Sequence, residues 1–141
     1  MTGVHLMTAF RAVIRALALL ALLTGSIDVL LGLAAQQTIG AALEEGYGDP
    51  LLNSQIRYLG AIWFGFGALL WHCLGDLSKQ VAILRGALLI VFLGGLGRVA
   101  SVVQFGFPAS TVGHGFVVFA IAVEIVAMPL LLLWQWRLFG R

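Results

Sequence analysis

Charged residues are scarce in this chain of 141 residues: Lys and Arg number 8, Asp and Glu 6, and charged side chains make up 10% of the whole. Soluble domains carry about 25%. So few charges cannot cover a water-facing surface, which excludes a soluble globular fold. The net charge of +2 comes without a basic run or patch, so nucleic acid is excluded as a partner. The single cysteine, Cys73, excludes an internal disulfide framework and a multi-cysteine zinc site.

Apolar residues fill the space that charge leaves. They form 61% of the chain, and the mean hydropathy is +1.04. Disorder is excluded by the same figures, since it needs low hydrophobicity and high charge. A membrane-spanning helix needs about 20 mostly apolar residues. Stretches at about 16–35, 56–74, 82–105 and 115–136 qualify. They predict an all-α fold: an integral-membrane four-helix bundle with short loops, as a single membrane domain over residues 1–141. The first stretch follows Arg11 and Arg15 but contains Asp28 and outruns a signal-peptide core of about 7–15 residues, so it reads as a retained helix.

Within the longest connection, Ile39, Ala42 and Leu43 have helical spacing, which predicts a short helix in the first outer loop, lying in the interface. Gly46-Tyr47-Gly48-Asp49-Pro50 reads as a turn. Asn53 or Ser54 is expected to cap the second span. Pro129 removes a backbone donor and is expected to kink the fourth span one turn after Glu124.

Loop charges give an orientation. Arg11, Arg15, Lys79, Arg85, Arg137 and Arg141 flank one side, and Glu44, Glu45 and Asp49 mark the other. The expectation is a multi-pass protein of the cell inner membrane with both N- and C-termini cytoplasmic. Trp71, Trp134 and Trp136 then fall near the cytoplasmic interface. His5 and His72 lie toward that side and His114 toward the outer one, so they cannot share a ligand sphere. No metal site and no cofactor are expected. Cys73 beside His72 reads as a packed thiol, because adjacent helical residues point apart.

The informative residues are charged ones within the spans. Asp28, Arg98 and Glu124 fall about 10–14 Å below the outer boundary at 1.5 Å of rise per residue, and Arg57 enters from the surface. Each sits on a stripe of small or packing residues. On the first span the stripe is Ala18, Ala21, Gly25, Asp28, Gly32 and Ala35. On the second it is Arg57, Gly60, Phe64, Gly67 and Trp71. Arg98 lies with Ala87, Val91, Gly94 and Ser101, and Glu124 with Val117, Ala120, Ala127 and Leu131. Small residues let helices approach closely in lipid. The spacing therefore predicts an ionic cluster inside a compact bundle, with Tyr58, Ser101, Gln104 and His114 as polar neighbours. Such a cluster either fixes helix register or forms a binding or proton-handling site. Gly94-Gly95-Leu96-Gly97 lacks the strand and lysine of a phosphate loop, so it reads as helix packing, with Gly97 and Ser101 as a small-xxx-small pair.

The segments Asn53-Ser54-Gln55-Ile56-Arg57-Tyr58-Leu59-Gly60, Leu93-Gly94-Gly95-Leu96-Gly97-Arg98-Val99-Ala100-Ser101 and Glu124-Ile125-Val126-Ala127-Met128-Pro129 resemble recurring segments of the bacterial domain-of-unknown-function 4345 family. That resemblance implies a small four-span membrane protein over nearly the whole chain, and no particular activity.

Three functions are open to such a chain. The first is an accessory or binding protein that uses Asp28, Arg57, Tyr58, Arg98, Ser101 and Glu124 to hold a lipid, a small polar ligand or a partner helix. Besides the lipid bilayer, its partners would be another membrane protein or a second copy in a homo-oligomer. The second is an intramembrane enzyme with Glu124 or Asp28 as acid or base on a lipophilic substrate. The third is a proton-coupled transporter, which at this size would act as a dimer.

Overall fold

The computed structural model describes residues 3–38 and 46–140. They form helices joined by turns, with no strand among the described residues. The helices are α1 (Gly3–Leu31), α2 (Leu33–Thr38), α3 (Pro50–Cys73), α4 (Val81–Phe105), α5 (Thr111–Ile121) and α6 (Met128–Phe139). A single π turn, Ala122–Ala127, joins α5 to α6. By length and composition, three stretches can cross a membrane: Val4–Leu31, Val81–Phe105 and Thr111–Phe139. The helix α3 is not among them, although a second span was expected there. Its first turns carry Asn53, Ser54, Gln55 and Arg57, which dilute its apolar character.

Helix ends explain most differences from the expected spans. The first helix begins near Gly3 rather than at residue 16, and it breaks earlier than expected, at Gly32. Gly32 takes φ +58°, a left-handed conformation that suits glycine, and its N–H still bonds the Asp28 carbonyl. The chain then restarts as α2. Asn53, expected to cap its own helix, instead accepts from the Leu33 N–H and caps α2. Asp49 caps α3, accepting from the Leu52 N–H at 2.7 Å, with Pro50 in the first turn where its missing donor costs nothing. The interfacial helix expected around Ile39, Ala42 and Leu43 lies outside the described residues.

The fourth segment is interrupted as Pro129 requires, but by a π turn. Proline has no N–H for the carbonyl four residues back. Upstream of it the Met128 N–H bonds the Val123 carbonyl, five residues back. Widening the turn inserts one residue and changes the direction of every side chain after it.

Two helix pairs result. In the first, α1 and α3 run antiparallel at close range. A Cβ at Gly25 would lie 2.6 Å from the Phe64 nitrogen, and one at Gly67 would lie 2.8 Å from the Leu22 nitrogen. These glycines are the reason the two backbones can approach so closely. Of the stripe expected on the first span, Ala18, Ala21, Gly25, Gly32 and Ala35 are buried and Asp28 is half-buried. On α3, Gly60 and Gly67 are buried, whereas Phe64 and Trp71 are exposed; Leu70 and Cys73 complete the packed face instead.

In the second pair, α4 packs on the π turn and α6. The contact glycine there is Gly95, where an added Cβ would meet Glu124 Cβ at 2.6 Å. Gly94 and Gly97 face open space and Ser101 is exposed, so the expected Gly97–Ser101 packing pair makes no helix contact. The four-residue offset was read from sequence on the wrong face of α4.

The pairs join through an apolar core at one end, here called basal. It contains Phe10, Ile14, Leu17, Leu70, Leu74, Leu84, Leu88, Met128 and Leu131. Polar ties close the same end. Arg11 donates to the Leu74 carbonyl at 3.2 Å, and buried Gln135 donates to the Val81 carbonyl at 2.8 Å. Phe10 meets Trp134 edge to face, with centroids 5.4 Å apart. The core ends at Ala18, Leu70, Val91 and Met128. Beyond that level, toward the distal end, the buried residues include Ala21, Gly25, Gly60 and Gly95, and contacts recorded at the glycines lie within their own pair.

Candidate functional site

The distal end holds the charged residues singled out from sequence: Asp28, Arg57, Arg98 and Glu124. Asp28, Arg57 and Arg98 each lie about 17 residues, or about 25 Å of helix, from the basal ties. Among the described residues, however, no hydrogen bond or ion pair joins Asp28 or Arg57 to Arg98 or Glu124. The structure places them as two separate sets, one in each helix pair.

In the α1–α3 pair the charges turn to local partners, Arg57 through Nη1 and Asp28 through one carboxylate oxygen. Asp28 accepts from the Gln36 side chain at 3.2 Å, and its Cβ lies against Gly60. Arg57 Nη1 donates to the carbonyls of Val29 and Leu30, at 2.5 and 3.0 Å. These are carbonyls in the last turn of α1, which have no intrahelical partner once the helix stops at Gly32. A cation there also opposes the negative end of the helix dipole. Arg57 and Asn53 thus brace the α1–α2 break from α3. Tyr58, next in sequence, points away and is 61% exposed.

The α4 pair is different. Arg98 and Glu124 form a side-on, two-bond ion pair: Nε donates to Oε2 at 2.9 Å and Nη2 to Oε1 at 3.1 Å. Glu124 is the more enclosed partner, its side chain 14% exposed against 34% for Arg98. Phe116 from α5 lies beneath the guanidinium, with Cζ 5.6 Å from the ring centroid. Two fixed contacts therefore orient the arginine. Its remaining nitrogen, Nη1, has no hydrogen bond among the described residues.

A cleft of about 330 Å³ opens beside this pair, bounded by Arg98, Ser101, Phe105, Gly106, Phe107 and Val117. Ser101 adds a second unused polar group. The hydroxyls of Thr8, Thr24 and Ser26 donate to the carbonyl four residues back, whereas Ser101 Oγ has no partner among the described residues. Phe107 is stacked on His114, with centroids 4.5 Å apart, which fixes one wall. Two loose donors facing a partly aromatic recess form an arrangement able to hold a polar group. Gln104 and His114 are exposed near it without a hydrogen bond to the pair.

The model of the DUF4345 family, described as a domain of unknown function, matches residues 9–135. The chain belongs to this family. The match covers both helix pairs and all six residues singled out from sequence. No curated protein and no solved structure matches the chain. In this DUF4345 protein the pattern missed by sequence reading is Gly95, whose lack of a side chain admits Glu124 to the face of α4, and Phe116, whose ring supports Arg98. The aromatic at 116 had a readable signal, since it lies eight residues, or about two turns, before Glu124. No group of three or more His, Cys, Asp or Glu side chains converges among the described residues.

Proposed function

We propose that this chain is a four-span inner-membrane protein, with both termini cytoplasmic, that binds the polar head of a lipid or another small ligand. The ligand sits in the distal cleft, on the Arg98–Glu124 pair. Loop charges support the orientation: Arg11, Arg15, Lys79, Arg85 and Arg137 lie at the basal end, and Asp49 lies at the distal end. The helix α3 serves as the remaining span. Its 24 residues are about 36 Å long, enough for the hydrocarbon, and its polar first turns fall at the distal boundary.

One observation carries the binding reading. An intramembrane ion pair used only for packing would be closed over by apolar side chains, but this one borders a recess and leaves Arg98 Nη1 and Ser101 Oγ unbonded. Unused donors away from bulk water favour any acceptor that reaches them. The test is mass spectrometry of molecules retained by the detergent-purified chain. The wild type should retain a polar-headed molecule that Ser101→Phe, which fills the cleft and spares the ion pair, does not. Equal retention by both would overturn the reading.

A further inference from the structure

The chemistry around Arg98 selects among ligands by charge. Its guanidinium is already neutralised by Glu124 through two hydrogen bonds. An anionic head group would compete with Glu124 for the same donors and leave a carboxylate in a low-dielectric site without its cation. The surroundings do not favour an anion either. Arg57 turns to the Val29 and Leu30 carbonyls, and Asp28 and Asp49 lie on the neighbouring pair. A neutral acceptor has none of these costs. It can take the Nη1 hydrogens and exchange a hydrogen bond with the Ser101 hydroxyl while the ion pair stays intact.

The walls specify the rest of the molecule. Phe105 is 83% exposed and Phe107 44% exposed at the rim, with Val102 and Val117 deeper in. These aromatic and aliphatic walls offer a small polyol no hydrogen bond, but they pack against an apolar body. We infer that the cleft selects an uncharged amphiphile, one whose head offers hydroxyl or ester oxygens and whose chains leave over the phenylalanine rim, in preference to an anionic phospholipid. This rests on the binding function proposed above and narrows it.

Dioleoylglycerol and dioleoylphosphatidic acid differ only by the phosphate, so they isolate the charge term. Tritiated dioleoylglycerol is bound to the full chain in dodecylmaltoside and displaced by each unlabelled lipid. Dioleoylphosphatidic acid should displace it at least about tenfold more weakly than dioleoylglycerol does, because its phosphate would face the Glu124 carboxylate. Ser101→Phe should abolish the saturable signal while melting like the wild type. Equal or stronger displacement by the phosphatidic acid would overturn the charge selection yet leave the cleft a binding site. If neither lipid binds saturably, or if Ser101→Phe binds both as the wild type does, the binding function fails as well. Arg98→Lys, which keeps the charge but loses the planar donor fork, should weaken dioleoylglycerol binding; unchanged affinity would overturn the role of Nη1.

Discussion

At their distal ends the two helix pairs carry the same charge content, one carboxylate and one arginine each, yet they use it in different ways. In the α1–α3 pair, Arg57 turns to backbone carbonyls and Asp28 to Gln36, so each charge closes a gap at the α1–α2 break. In the α4 pair the charges turn to each other, and the arginine borders an open cleft. The contrast follows from backbone separation. Gly25, Gly60 and Gly67 bring α1 and α3 so close that little room remains for side chains between them. On the other side, the π turn swings Glu124 against Gly95, with space for a full Arg–Glu fork and a cleft beside it. A charge in an apolar helix is therefore informative through what it pairs with and what space remains beside that pair.

The largest expected effect tests the close approach itself. Gly25→Leu forces side-chain atoms into the Phe64 and Gly60 backbone and should cost about 3 kcal/mol, read as a lowered unfolding midpoint in detergent. Gly97→Ala, at a glycine facing open space, should instead be neutral or gain about 0.5–1 kcal/mol from helix propensity. Equal losses at the two positions would erase the distinction between packed and open glycines.

Next come the two arginines. Glu124→Gln removes the charge that balances Arg98 and should cost about 2 kcal/mol, less than for a fully buried pair because Arg98 is partly exposed. Arg57→Gln loses bonds to two carbonyls at an exposed position and should cost about 1 kcal/mol. Only the first should alter ligand retention in the cleft. A change in retention from Arg57→Gln would merge the two sets into one site.

A smaller effect sharpens the role of the π turn. Pro129→Ala restores the missing donor and lets the segment return to α geometry, which turns Glu124 away from Gly95. The Arg98–Glu124 coupling energy from a double-mutant cycle should then fall below about 0.5 kcal/mol. An unchanged coupling would show that the pair does not depend on the widened turn.

The smallest effect lies outside the spans. In the α3–α4 connection, the Ser78 hydroxyl and the Lys79 side chain and N–H hold the Asp76 carboxyl down at about 2. Since its pKa is lower folded than unfolded, this bracing is complete above about pH 4 and is lost as pH falls through about 2. The protection of the Ser78 and Lys79 amides relative to their intrinsic exchange rates should fall over that window in the wild type and stay constant in Asp76→Asn.

The α1 stripe was legible because it is a local property: a 3.6-residue period places Ala18, Ala21, Gly25 and Gly32 on one face whatever they meet. The α4 face was misread because Gly94, Gly95 and Gly97 are too closely spaced for periodicity to choose among them, and the choice depends on which helix arrives. The pairing of Arg57 was illegible for another reason. Its partners are carbonyls exposed by the break at Gly32, and backbone acceptors carry no residue label.

Composition and periodicity alone determined that the chain is helical and that several of its helices suit a membrane. These features depend on residues within a few turns of one another and on transfer from water, so they are written locally. Which arginine met which carboxylate, and where a cleft remained, was decided only when the helices packed, because ion-pair geometry depends on the separation and rotation of segments far apart in the chain.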